Sequence, residues 1–242
     1  MRRRAVLIGS GALIVVILLV AVGSYLYFFS GLRQSPSAPS ISSPSPGASG
    51  GSVSGSELAG KWSVQSGSQA GYRVQEQFVG QSSTHDAVSR TSNVSGVLTI
   101  QQAGSALQAT GITVTARLSD LHSVDTVAGR DVNQRDQVVN RSLDTSSYPD
   151  ATFAASSVAI PAAALQGQTV SFTAPGQLTV HGTTRPATAQ LQGSASGGQL
   201  QVAGTVPLTM TDYEVQPPRV PFVSVPPQVT VELSLKYAKS GA

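Results

Sequence analysis

The chain has 242 residues, with fifteen Lys and Arg against twelve Asp and Glu, and no cysteine. Lacking cysteine, it has no disulfide, thiolate metal site or Cys nucleophile. Its basic balance is not a nucleic-acid signature. Arg2, Arg3, Arg4 and Arg33 precede residue 58, as does Glu57, which leaves eleven charges of each sign beyond it and no excess for phosphate contacts.

Residues 1–4 read as a basic cytoplasmic stub, and 5–29 contain no charged residue. Such a run, at roughly 1.5 Å per helical residue, exceeds the hydrocarbon core of about 30 Å and predicts a single transmembrane helix, a signal anchor. The arginines on its N-terminal side predict an N-inside, single-pass topology in the cell membrane, with the rest of the chain extracytoplasmic. A cleaved signal peptide has an apolar core of about 7–15 residues and a small-x-small site. Here the run is longer and closes on Tyr25, Tyr27, Phe28 and Phe29, which suit an interfacial aromatic belt. Residues 30–57 are mostly Ser, Pro, Gly and Ala, with Pro36, Pro39, Pro44 and Pro46 among them. That composition predicts a disordered tether spanning on the order of 25–30 Å.

From residue 58 to 242 the texture is β: short runs of Val, Thr, Ile, Leu, Ala and Tyr alternate with polar residues between Gly-, Ser- and Asn-rich turns. The strand candidates are 61–65, 71–79, 94–101, 106–118, 151–160, 169–172, 176–180, 186–194, 199–215 and 228–237. Residues 80–93 read as a polar loop. One stretch, 129–143, predicts a helix, because Val132, Val139 and Leu143 recur at helical spacing. Ten strand candidates and one helix favour an all-β, antiparallel, lipocalin-like barrel of about eight strands, two short candidates belonging to bent strands or loops.

Alternation turns Tyr72, Val74, Phe78, Leu98, Ile100, Ile112, Val114, Leu118, Phe153, Phe172, Leu178, Val180, Val202, Val206 and Leu208 into the barrel. An eight-stranded barrel either fills with side chains or holds one small ligand. Aromatics are only 5 % of the chain and small residues dominate the strands, which leans towards a cavity. Glu76 and Gln108 lie on or beside these strands as possible headgroup contacts.

The histidines His85, His122 and His181 are far apart, and no catalytic or metal-ligand motif accompanies them. His85 reads as solvated in the polar loop, and His181 as hydrogen-bonded at its turn. Nine charges fall between Asp120 and Asp150. They form either a solvated surface or an ion-paired element packed across one end of the barrel. In the second case Asp136 faces inward beside Val132 and Val139 and needs a partner such as an arginine.

Two blocks carry a likeness to a known family. The hairpin Leu178-Thr179-Val180-His181-Gly182-Thr183-Thr184-Arg185-Pro186, with Arg135-Asp136, Leu143-Asp144, Tyr148-Pro149 and Phe153 upstream, resembles the YceI-like family. Trp62-Ser63-Val64, Gly71-Tyr72-Arg73-Val74, Thr211-Asp212-Tyr213 and the strand 229–237 extend the resemblance across the exported domain. It implies a lipocalin-like barrel holding a long isoprenoid lipid, with Arg135 and Asp136 as structural ion-pairing residues. Two positions depart from the pattern: Gly67-Ser68 stands where the family has His-Ser, and Met210 where it has an arginine.

These readings combine into a membrane-anchored, extracytoplasmic protein that binds an amphiphilic lipid, with no metal, cofactor, nucleic acid or catalytic role. The alternative is a non-catalytic structural or adaptor barrel touching another cell-envelope protein through 80–93 or the proline-rich stretch Pro217 to Pro227. An enzyme of lipid metabolism would need a nucleophile–base or metal constellation that the sequence does not display.

Overall fold

Period-two alternation and turn chemistry place the strands; their pairing closes them into a barrel. The computed structural model describes residues 17–24, 33–41, 52–80, 83–104, 106–127, 131–196 and 198–240. Its strands are β1 (Arg33–Gln34), β2 (Gly60–Val64), β3 (Gln69–Phe78), β4 (Thr84–Thr91), β5 (Val94–Ala103), β6 (Ala106–Arg117), β7 (His122–Ser123) and β8 (Thr126–Val127). They continue with β9 (Asp150–Ile160), β10 (Val170–Val180), β11 (Thr183–Ser196), β12 (Gln199–Thr209), β13 (Val223–Ser224) and β14 (Gln228–Lys239). Besides the helical residues 17–24, the helices α1 (Gly55–Leu58) and α2 (Asn133–Ser142) lie against the two ends of the barrel.

Antiparallel pairing runs β14–β12–β11–β10–β9–β6–β5–β2 and returns to β14. β2 and β3 pair successive stretches of β14 on one side, while β5 and β4 face them in turn on the other. Residues 60–78 are therefore one bent strand, and 84–103 a second, giving the eight-stranded closed barrel that the sequence predicts. The bend is pinned by Ser68, 1 % exposed, whose hydroxyl donates to the Gln65 carbonyl at 2.7 Å and accepts from the Lys236 amide at 3.0 Å.

Several expectations change. Residues 169–172 and 176–180 are one strand, β10, and 199–215 ends as a strand at Thr209, before a 3₁₀ turn over Met210–Tyr213. The expected helix 129–143 is observed as Asn133–Ser142. The expected loop 80–93 contains β4. Its barrel-facing positions are His85, Ala87, Ser89 and Thr91, all buried. Polar and small residues on the inner face hid the alternation. As part of the barrel wall, 84–91 is no free contact loop.

The expected tether, 30–57, is likewise not all tether. β1 pairs with β8, residues 35–37 bond to the barrel wall, and α1 is a capped turn with Ser54 and Glu57 forming a capping box. No helix among the described residues is long and apolar enough to cross a membrane. The expected span 5–29 lies outside those residues except for 17–24, which are helical.

Two apolar clusters share the barrel interior. One gathers Leu58, Trp62, Leu98, Ile100, Leu107, Leu200, Leu235 and Tyr237 around the end where β2 begins. The other gathers Ala155, Ala174, Leu178, Val206, Tyr213 and Val215 towards the end covered by α2. We call the α2 end the mouth and the α1 end the floor.

Candidate ligand-binding site

Inward-facing side chains leave two cavities stacked along the barrel axis. The mouth cavity, about 170 Å³, is bounded by Tyr72, Val74, Glu76, Leu118, Leu178, Val180, Leu208, Met210 and Tyr213, with Val138 and Val139 of α2 and Leu143 just after it above. The floor cavity, about 120 Å³, is bounded by Leu98, Ile100, Ile112, Val114, Phe153, Phe172, Val202, Leu233 and Leu235, and closed by Leu58 and Ala164. Each has the size at which an apolar cavity stays dry and admits a small hydrocarbon group.

Phe153 stands at the boundary between them. Its ring lies over Gly176, where a Cβ would sit 2.6 Å from Cζ, and the flanking inward positions Leu178 and Ala174 line the mouth and floor cavities respectively. Glycine is required there by the ring and by the Ala154 carbonyl oxygen of β9, which would lie 2.5 Å from that Cβ. Val206, 2 % exposed and paired with Val231, packs at the same level.

The predicted lining residues divide cleanly. Tyr72, Val74, Leu178, Val180 and Leu208 reach the mouth cavity; Leu98, Ile100, Ile112, Val114, Phe153 and Phe172 reach the floor cavity. Two do not: Val206 fills the boundary, and Phe78 lies at the rim beside Val127 and Val223. Gln108 is also misassigned. It alternates with the buried Leu107 and Ala109 and so faces outward, opposite Gln101. Alternation missed the lining from α2, from Tyr213 and Val215, and from Leu58 and Ala164, because none of these sits on a strand.

Charge is confined to one corner of the mouth. Arg135 reaches from α2 into the barrel, its Nε and Nη2 each 2.9 Å from a Glu76 carboxylate oxygen. The same guanidinium binds both oxygens of Asp125, at 2.7 and 3.2 Å. Asp125, 3 % exposed, also accepts from His85 Nε2 at 2.7 Å and from the Val88 amide at 3.0 Å. Burial alone would raise the Asp125 pKa. The bonds from His85, Arg135 and Val88 outweigh it and pull the value down to about 2. Arg135 is held firmly charged by its two carboxylates, against the desolvation that opposes it. Burial pushes the Tyr72 hydroxyl up to about 12, so it stays neutral and accepts from Ser89 Oγ at 3.2 Å.

Among the described residues Asp136 pairs with no arginine. It accepts from the amide and hydroxyl of Ser123, at 3.0 and 2.7 Å, fastening α2 to β7. Of the two readings of the charged block, the ion-paired element across the barrel end is the one observed. His85 is buried in this network rather than solvated. His122 is exposed, with Nδ1 3.3 Å from the Asp120 carbonyl. His181 finds no hydrogen bond at Nδ1; its ring packs 4.8 Å from that of Tyr148. His181 and Gly182, φ 50° and 73°, form the two-residue turn between β10 and β11, with Tyr148 packed where a Gly182 side chain would stand. No group of three or more potential metal ligands occurs among the described residues.

Comparison with known proteins places this barrel. The profile of the YceI-like domain matches residues 62–237. The chain belongs to the YceI-like family. Among solved structures it is similar to a polyisoprenoid binding domain from Saccharophagus degradans implicated in plant cell wall breakdown, at 16 % identity and a TM-score of 0.50, covering 74 % of this chain and 98 % of that one. It is also similar to BcnA of Burkholderia cenocepacia, at 19 % identity and a TM-score of 0.49, covering 72 % and 98 %. The YceI protein of Campylobacter jejuni matches at 12 % identity and a TM-score of 0.37, covering 66 % and 84 %. No curated protein matches the chain. Of the two departures from the YceI-like pattern, Met210 lines the mouth cavity, whereas Gly67 lies on the outer wall beside Lys236.

Proposed function

We propose that this chain is a membrane-anchored, extracytoplasmic, non-catalytic lipid-binding protein that holds a long-chain isoprenoid or similar amphiphile in its barrel. The observation carrying this reading is the pair of apolar cavities stacked on one axis, with charge only at the mouth. The description of the Saccharophagus degradans relative as a polyisoprenoid binding domain supports the same ligand class. The uncharged run over 5–29 supports the anchor.

Burial of the hydrocarbon chain supplies the affinity, at about 0.8 kcal/mol per CH₂ removed from water. A short chain fits the mouth cavity alone. A longer one enters the floor cavity only when the Phe153 ring turns off Gly176. Met210 at the mouth adds an apolar surface where the family pattern has a cation, so the headgroup is met by Tyr72 and the Arg135 corner instead.

The test is a titration with isoprenoid alcohols of increasing length, followed by the emission of Trp62, which is 1 % exposed in the floor cluster. Affinity should climb with each added unit until the floor is filled, and Trp62 should respond only to the longer chains. Affinity independent of chain length would overturn the reading.

A further inference from the structure

Residues 33–37 lie along the outside of the barrel. β1 pairs with β8, Arg33 opposite Val127 and Gln34 opposite Thr126. Ser35 Oγ donates to the Asp86 carbonyl at 2.6 Å. The next two peptide carbonyls are each taken by an arginine: Arg73 Nη2 donates to Pro36 at 2.5 Å, and Arg90 Nη2 to Ser37 at 2.9 Å. Both guanidiniums also bind Glu232, Arg73 Nε at 2.6 Å and Arg90 Nη2 at 3.1 Å, and Arg73 Nη1 meets Asp86 at 3.0 Å.

Glu232 stands on the outer face of β14, between the inward-facing Val231 and Leu233, yet it is only 1 % exposed. A carboxylate so covered on an outside wall needs its charge matched. The two arginines that match it also present donors to an extended backbone. The two arginines bond carbonyls rather than side chains, so the seat suits the Ser/Pro-rich composition of this stretch.

The direction of the chain gives the seat a meaning. β8 lies at the mouth, where Val127 shares a rim with Val132 and Arg135. Further along, the Val53 amide bonds the Leu165 carbonyl at 2.8 Å and Leu58 closes the floor cavity. Residues 33–37 therefore run down the wall from the mouth, and 53–58 lie at the floor. Residue 33 is at the mouth, and only Ser30, Gly31 and Leu32 separate it from Phe29, the end of the expected span. Four residue steps reach at most about 14 Å.

We propose that the seat formed by Arg73, Arg90 and Glu232 straps the chain emerging from the membrane to the barrel wall, and so holds the barrel with its mouth against the bilayer. This rests on the anchor reading above. A lipid leaving the bilayer then meets α2 and the mouth cavity directly, where a free tether would let the barrel tumble at on the order of 25–30 Å.

The chain has no cysteine of its own, so single labels can be placed in the full-length protein. Q137C, on the exposed side of α2, marks the mouth, and Q199C, exposed at the start of β12, marks the floor; strands of this length separate them by about 30 Å. In phosphatidylcholine vesicles containing a spin-labelled lipid, the mouth label should lose most of its emission and the floor label almost none. Inserting about twelve Gly/Ser residues after Leu32, for roughly 20 Å of extra reach, should abolish the quenching; the same insert after Ile41 should leave it intact. Equal quenching of the two labels, or equal effects of the two inserts, would overturn the strap while leaving the anchor standing. Loss of the protein from carbonate-washed vesicles would overturn the anchor and the strap together.

Discussion

The two ends of the barrel are closed by different physics. At the floor, Leu58 and Ala164 close the cavity by apolar packing, and the Trp62 indole, buried in the same cluster, donates to the Leu58 carbonyl at 2.8 Å. At the mouth, α2 has no fully buried residue and is fastened by Arg135 to Glu76 and Asp125 and by Asp136 to Ser123. Apolar packing cannot be released piecemeal. A polar latch can open and re-close, because each of its groups is welcome in water once the helix lifts. Under the proposed lipid-binding role, the contrast gives the floor to stability and the mouth to exchange.

Removing Arg135 should have the largest effect. Arg135→Ala leaves Glu76 and Asp125 buried without their shared cation and should cost about 3–5 kcal/mol in urea unfolding, with faster lipid release. Trp62→Ala should cost a similar amount, about 3–5 kcal/mol, but leave the release rate unchanged. If both variants change release alike, the division between the ends is wrong.

Phe153→Ala should cost about 3 kcal/mol and join the two cavities, so that the preferred chain length rises. Gly176→Ala acts in the opposite sense. Its new methyl meets the Phe153 ring and the Ala154 carbonyl, at 2.6 and 2.5 Å, and should destabilise by about 1–3 kcal/mol while disordering the ring's resting place. Chain-length profiles unchanged in both variants would show that Phe153 does not divide the interior.

The smallest effect is that of pH. The folded state lowers the Asp125 pKa from 3.8 to about 2. A depressed carboxylate stabilises the fold above its unfolded pKa and loses that contribution as pH falls through the folded value. The loss should therefore appear between about pH 4 and pH 2, amount to on the order of 1–2 kcal/mol, and be seen first as faster amide exchange in α2. Exchange rising first around Trp62 would contradict the latch.

The floor and the apolar walls were the legible part of this molecule. Strict alternation in 229–237 and the His181-Gly182 turn locate β14, β10 and β11, and the inward-facing apolar residues fall on the two cavities with few exceptions. The latch was only half legible. Arg135 and Asp136 stand out in the charged block, but their partners lie far away in sequence. Glu76 is fifty-nine residues from Arg135, and His85 is forty from Asp125. β4 escaped notice because its inward face is polar, and a polar inward face is what the latch requires. The docked segment 33–37 reads as tether for a related reason: its composition cannot build a core, but its backbone carbonyls need only two arginines placed by the barrel.

The most direct measurement is native mass spectrometry of the chain from residue 33 onward, purified without detergent and incubated with a polyprenyl lipid. One lipid per barrel should be retained by the wild type and lost more readily by Arg135→Ala. A barrel that remains at its bare mass after incubation, with its fold intact, would contradict the lipid-binding role.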